Sequence, residues 1–408
     1  MIMDPIRYAL VGIGGYGESH LKAIEAMEAD GVARLVAVIE RNVEGLRGEL
    51  DRLAARGVAH FADLAEWLAV GGADVVAIAA GIPWHRALAV QALQAGYHLY
   101  LEKPPTVTIQ DHRAVEEAAR AAGRAVQTGF QFASGRPFHE LRGALAQGAV
   151  GAVREIVGAG CWQRDDSYYQ RNAWAGEFRL GDLVVMDGSL SNPLAHLLHI
   201  MLLLAAGAEG PESALPVQVE GELYHAHPIV GEDLAAARIT TRNGVRLCIA
   251  TTTAADRSDG PWLEVRGTRG AARWDIQQTV TINGERREYA QAEWGSTETL
   301  FRNLTGFLRG EATGLMNPLT GSEPFVLALD GVYESSQGIH AIAAEHVRRF
   351  PTERSLATQI AGLTDLLQET VRRLALPSEM GVPWAVPGRL VSMSDYREFA
   401  WERYPAAR

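Results

Sequence analysis

The chain has 408 residues, 47% of them hydrophobic and 21% charged, with a formal net charge of −11. That is globular composition, long enough for two or three domains and a large core, and an acidic balance with no basic run argues against a nucleic-acid partner. The two cysteines, Cys161 and Cys248, make neither a disulfide framework nor a zinc pattern.

In chain order, the first third alternates strand and helix patterns. Arg7 to Ile13 is a strand, Glu18 to Ala29 a helix, Arg34 to Glu40 a strand and Val43 to Ala55 a helix. Val75 to Ala80 is a strand, Pro83 to Ala95 a helix, His98 to Leu101 a strand, Ile109 to Ala122 a helix and Ala125 to Thr128 a strand. Short apolar strands separated by amphipathic helices predict a parallel sheet covered on both faces. Met1 to Tyr8 has no basic stretch leading into an apolar core, so no signal peptide is read there and the expected compartment is the cytoplasm.

After about Gly129 the texture changes. Alternating runs at Val153 to Trp162, Val217 to Tyr224, Leu234 to Thr241, Val245 to Thr252 and Trp262 to Arg266 predict a second, α+β domain with a large, open, mostly antiparallel sheet. Asn243-Gly244 is a hairpin signal, and Asp259-Gly260-Pro261 reads as another turn. Leu194 to Ala206, with His196 and His199 inside it, is too short to cross a bilayer and reads as a buried helix. Phe325 to Ile339 and Ser355 to Leu374 read as further helices. The expected division is 1–129 for a dinucleotide-binding Rossmann domain and 130–408 for a substrate-binding and oligomerisation domain.

Gly12-Ile13-Gly14-Gly15-Tyr16-Gly17 matches G-x-G-x-x-G between the first strand and first helix. Glycines there permit a tight turn and close approach of a pyrophosphate, and the helix start offers N–H groups to an anion. Glu40 ends the second strand, where an acidic residue holds the adenosine ribose of NAD and repels the extra phosphate of NADP. Arg41 beside it is placed to stack on adenine or meet a 2′-phosphate. NAD is therefore expected over NADP. Glu102-Lys103-Pro104 ends the strand His98 to Leu101, at the sheet edge where ligands bind. Oxidising an alcohol by hydride transfer needs a group to take the hydroxyl proton, and Lys103 meets that need, with Glu102 orienting it or the ribose.

These segments resemble the Gfo/Idh/MocA oxidoreductases. The resemblance rests on the Gly-rich loop, on Gly81, Pro83 and His85 after the fourth strand, and on Ala95-Gly96-Tyr97-His98-Leu99-Tyr100-Leu101 leading into Glu102-Lys103-Pro104. It is close over the first ~130 residues and looser to Tyr333-Glu334-Ser335. It implies NAD(P)-dependent oxidation or reduction of sugars, inositols and related polyols, with the lysine beside nicotinamide and carbinol, and Gln131 resembles the family's polar residue near the cofactor. The family usually carries an Asp and a His four residues apart at a helix start in the second domain. Here His196 matches the His, Asn192 stands where the Asp is expected, and Asp187 lies nearby to supply the charge. Lys103, His196 and Asn192 are thus the expected catalytic group.

The segment Trp162 to Trp174 offers aromatic platforms, and Trp162, Tyr169, Arg171 and Asn172 join Lys103, Asp187, Asn192 and His196 as expected substrate contacts. Neither His196 with His199 nor His225 with His227 has companion ligands, so no metal is expected. Two other readings of the same residues are a redox-assisted, glycoside-cleaving enzyme with bound NAD and a cofactor-binding regulator without catalysis. An open sheet whose second face lacks helices needs another layer, so a homodimer or homotetramer is expected.

Overall fold

A computed structural model describes residues 4–404, so Met1 to Met3, read above for a leader, lie outside them. The chain divides into two units.

The first unit takes in the chain up to Thr106, Asp111–Ser134 and Gly295–Ser322. Its elements are β1 (Ile6–Val11), α1 (Gly17–Ala29), β2 (Ala33–Ile39), α2 (Arg47–Ala54), β3 (Ala59–Phe61), α3 (Leu64–Leu68), β4 (Val75–Ile78), α4 (His85–Gln94), β5 (His98–Leu101), α5 (Ile109–Ala122) and β6 (Val126–Thr128), with the first residues of α5 counted in the second unit. The strands pair in parallel in the order β3-β2-β1-β4-β5-β6. The order reverses between β1 and β4, the switch point beside which such sheets bind ligands.

Strand residues alternate between two cores. Tyr8, Leu10, Val38, Val75 and Ala77 face Leu21, Ile24 and Met27 of α1, whereas Ala9, Val11, Val76, Ile78 and Leu99 face α3 and α4. Burial on both faces explains why these strands read as continuous apolar runs. The helix Thr297–Leu308 completes the first face with Leu300, Phe301 and Leu304. The second-domain reading of 130–408 therefore differs here: Gly295–Ser322 returns to the first unit because this amphipathic stripe, with Phe301 stacked on Tyr100 at 4.0 Å, buries there.

The second unit holds a ten-stranded sheet. Along it run Glu285–Glu288, Thr279–Ile282, Ala271–Asp275, Ala254–Gly267, Val153–Gln163, Arg246–Thr252, Leu234–Thr241, Pro216–His225 and His340–Ala341, with Val391–Ser392 beside Pro216–His225. Most pairs are antiparallel, but Val153–Gln163 meets Arg246–Thr252 in parallel, as Pro216–His225 meets His340–Ala341. Gly244, at φ +83°, turns the hairpin expected at Asn243-Gly244. Two expectations are corrected. Asp259-Gly260-Pro261 separates no strands; it makes an irregular step within Ala254–Gly267, where Gly260 adopts φ +75°. Ser355 to Leu374 is not one helix, because Leu356–Ile360 is a strand that pairs with Val347–Pro351; the helix begins at Leu363, after Gly362 at φ +72°.

Helix Ala195–Ala206 is buried almost throughout, as its composition predicts. It lies on the strand Val153–Gln163, where a Cβ on Gly158 would stand 3.0 Å from Met201 Sδ and one on Gly160 2.7 Å from a Leu194 methyl. The opposite face is not bare: Leu363, Leu367 and Val371 of the helix Leu363–Arg373 pack on Val157, Ala159, Cys161, Cys248 and Trp262. This corrects the premise of the oligomer expectation, because the chain layers part of that face itself. No helix among the described residues is long and apolar enough to cross a membrane.

Candidate functional site

In the first unit the Gly-rich loop joins β1 to α1. Gly12 and Gly15 sit at φ +82° and +56°, backbone that glycine adopts without steric cost. A Cβ on Gly17 would fall 2.3 Å from the Gly12 carbonyl oxygen, so only glycine lets α1 begin directly against the loop. The amides of Gly14, Gly15 and Tyr16 have no acceptor among the described residues. Beside a helix start, such open amides suit a pyrophosphate.

The Glu40 carboxylate accepts the N–H of Ile13 at 3.0 Å and of Asn42 at 2.8 Å. It pins the loop to the end of β2, and a carboxylate has lone pairs enough to take ribose hydroxyls as well. Arg41 is exposed and pairs with Asp63 at 2.8 Å, which, with the Ala65 N–H, holds the Asp63 carboxyl below its usual range.

Glu102 is buried. One carboxylate oxygen accepts the Lys103 N–H at 2.7 Å and the other meets His20 Nε2 at 3.2 Å. His85, fully inside, sets its ring nitrogens 2.8 Å from the Pro104 carbonyl and 2.9 Å from that of Ala80, tying the turn after Lys103 to the end of β4. Burial pushes the His85 pKa down against the pull of those two carbonyls. Between them runs the 3₁₀ turn Ile82–Trp84, entered from Gly81 with Pro83 inside it. Gln131 donates to the Tyr16 hydroxyl at 2.9 Å, and that hydroxyl meets Thr297 Oγ1 at 3.0 Å. Burial, then Glu102, pushes the Tyr16 hydroxyl up to about 12. Gln131 Oε1 is buried with no partner among the described residues, an acceptor that a bound group would satisfy. Open loop amides and this acceptor fit a dinucleotide.

The second unit brings together the Asp187 cluster. Asp187, 1% exposed, accepts from the Gly176 N–H at 2.7 Å, Arg171 Nη2 at 3.1 Å and Asn192 Nδ2 at 2.7 Å. Asn192, which stands where the Asp is expected, is thus bonded to a carboxylate five residues upstream. His196, in the first turn of Ala195–Ala206, is buried. Burial pushes the His199 pKa down to about 3, in keeping with a core residue. The Arg171 guanidinium lies over Tyr168 at 4.0 Å and Trp174 at 5.2 Å. Trp162 donates through Nε1 to the Gly260 carbonyl at 3.3 Å. Tyr169 is turned inward, its hydroxyl 2.7 Å from Thr253 Oγ1 and its ring on His227. Asn172 accepts the Trp174 N–H at 3.1 Å and shapes a local turn.

Sequence reasoning missed His20, Tyr168, Arg164 and Glu232. Glu232 is fully buried and accepts from Leu190 N–H at 2.8 Å and Ser189 Oγ at 2.7 Å; a Cβ on Gly188 would strike it at 2.2 Å.

Residues 6–130 match the model described as the oxidoreductase family with NAD-binding Rossmann fold, GFO/IDH/MocA, and residues 138–273 match the C-terminal domain of the same family. An inositol 2-dehydrogenase/D-chiro-inositol 3-dehydrogenase of Shouchella clausii is 30% identical over 36% of this chain and 42% of its own length. An inositol 2-dehydrogenase of Azotobacter vinelandii is 23% identical over 69% of this chain and 77% of its own. The chain thus spans less than half the length of the first relative. The WlbA dehydrogenase of Bordetella pertussis, solved with NADH and UDP-GlcNAcA, shares the fold, with a TM-score of 0.67 at 23% identity over 82% of this chain and 97% of that one.

Proposed function

The chain belongs to the Gfo/Idh/MocA family of NAD-binding oxidoreductases, and on that premise we propose that it transfers a hydride between a nicotinamide cofactor and a secondary alcohol or ketone of a sugar, inositol or related polyol. The observation that carries the reading is Lys103. The chain has 38 basic residues, and only Lys22 and Lys103 are lysines, which leaves 38 − 2 = 36 arginines. In so arginine-rich a chain, a lysine at the end of β5 can do work arginine cannot: a guanidinium stays protonated, whereas an amine gives up and takes back a proton.

The amides of Gly14, Gly15 and Tyr16 would hold the pyrophosphate, Glu40 the adenosine ribose, and Gln131 a polar group of the cofactor, with Arg41, Gly81, Pro83, His85 and Glu102 shaping its bed. The bound nicotinamide supplies the hydride acceptor or donor. Lys103 takes the hydroxyl proton on oxidation and returns it on reduction. Asn192, fixed by Asp187, binds substrate hydroxyls, His196 assists in proton handling, and Trp162 and Arg171 flank the sugar. Screening the purified protein in both directions against sugars and inositols, by absorbance of the reduced nicotinamide, tests this. No turnover of any member would overturn it.

Glu40 makes NAD the cofactor. The dissociation constant for NAD should be lower than that for NADP by about tenfold or more, ~1.4 kcal/mol, and Glu40→Ala should narrow the gap. Tighter binding of NADP, abolished by Arg41→Ala, would refute it. We place the protein in the cytoplasm: Cys161 and Cys248 are buried, with thiols pushed up to about 12, and call for no oxidising compartment. We propose a homodimer or homotetramer, although the helix Leu363–Arg373 layers part of the sheet face through which it would form; a monomer by light scattering at micromolar concentration would refute it.

A further inference from the structure

Arg164 follows the strand Val153–Gln163 in the second unit. Its main chain is fixed on both sides, the N–H donating to the Thr253 carbonyl at 3.0 Å and the carbonyl accepting His227 Nε2 at 3.1 Å. Its guanidinium carbon lies over two rings, 5.0 Å from the Trp162 centroid and 5.2 Å from that of Tyr168. Tyr168 carries Arg171 as well, so one ring separates Arg164 from the Asp187–Asn192 cluster.

The two arginines differ in charge balance. Arg171 is neutralised by Asp187. Among the described residues no carboxylate pairs with Arg164, although this chain is acidic and the sequence continues into two aspartates. Those aspartates are committed elsewhere: Asp165 to Ser167 and Thr352, Asp166 to Arg349. The Arg164 guanidinium donates to the Gln163 carbonyl at 3.0 Å. A planar cation held against two rings presents an N–H edge that suits a planar anion.

The geometry points to a substrate that carries a carboxylate, a uronic or aldonic acid, with Arg164 as the residue that selects it. This rests on the sugar-oxidoreductase reading and narrows it. A single uncompensated guanidinium matches the single charge of a carboxylate and its two-pronged edge. A sugar phosphate, nearly dianionic, would call for a second cation, and Arg171 is already spent on Asp187.

The test pairs D-glucuronate and D-gluconate with neutral D-glucose and D-glucose 6-phosphate, using the full chain, in turnover with NAD and in calorimetric binding without it. The acids should be preferred over glucose by about tenfold or more in kcat/KM, the scale of one hydrogen bond to a charged group. Arg164→Gln should raise KM for the acids by a similar factor with little change in kcat, and should cost the acids about tenfold more than glucose in both kcat/KM and calorimetric binding. Arg164→Lys, which keeps the charge without the fork, should recover part of the loss. Equal losses for acid and neutral sugar, or a preference for the phosphate, would overturn the assignment. If nothing turns over, the oxidoreductase reading fails while calorimetry still decides this one: acids that bind no better than glucose, or bind Arg164→Gln as well as the parent, refute it.

Discussion

Replacing Lys103 by alanine is expected to lower kcat by about 10²-fold or more, the usual scale for losing a general acid or base. Affinity for the nicotinamide cofactor should hardly change. The contact that sets the turn uses the Lys103 main-chain N–H on Glu102, and the next residue is anchored by its carbonyl on His85, so truncating the side chain leaves both anchors in place. Loss of activity would then report lost chemistry rather than a collapsed loop. Lys103→Arg separates two roles. If the residue only stabilises negative charge, arginine recovers much of the rate; if it moves a proton, arginine fails, because its guanidinium does not deprotonate. Steady-state kcat and a cofactor fluorescence titration on both variants check this. Full turnover by Lys103→Ala on the true substrate would end the proton-transfer role.

The first unit was legible because its determinants are local. Each strand buried on both faces reads as a short apolar run, and the loop, Glu40 and Glu102-Lys103-Pro104 lie at strand ends where motif and topology coincide. Gly295–Ser322 was not legible as part of that unit, since nothing in it marks a partner nearly three hundred residues upstream; Tyr8 and Thr305, whose hydroxyls meet at 2.8 Å, are 297 positions apart. In the second unit, alternation predicted the central strands but not the exposed edge strand Glu285–Glu288, whose Glu-Arg-Arg-Glu has no apolar face. Asp259-Gly260-Pro261 carries turn chemistry that the fold uses inside a strand, as glycine and proline allow at irregular steps.

The candidate residues follow the same division. The contact between Asp187 and Asn192 is legible because five residues separate them. His20 with Glu102, and Ser189 with Glu232, are 82 and 43 positions apart and belong to no motif. Arg164, one arginine among 36, carries no signal in the sequence until the acids around it are seen to be occupied.

The fall of stability between pH 4.5 and about 8 is expected to hinge on Glu232. Burial pushes its carboxyl up to about 8 from an ordinary 4.5, against the pull of Ser189 and the Leu190 N–H. The folded state therefore binds a proton that the unfolded state has released, and its stabilising effect is complete below pH 4.5 and drains away as pH rises through 8. One pKa unit is ~1.4 kcal/mol, so a shift of this size amounts to a few kcal/mol. Glu232→Gln should abolish that slope. Glutamine keeps an oxygen for the Leu190 N–H and offers an N–H to Ser189 Oγ, while the Ser189 hydroxyl turns to Thr251, whose Oγ1 lies at 2.9 Å. The variant should match the parent below pH 4.5, where both carboxyl and amide are neutral, exceed it increasingly between pH 4.5 and about 8, and keep that gap above. Because Glu232 lies directly against Gly188, the gain should extend to the Asp187–Asn192 segment and show as slower amide exchange there at alkaline pH. Denaturant unfolding of both proteins across that range is the measurement, and parallel stability profiles would show that Glu232 does not hold its proton in the folded chain.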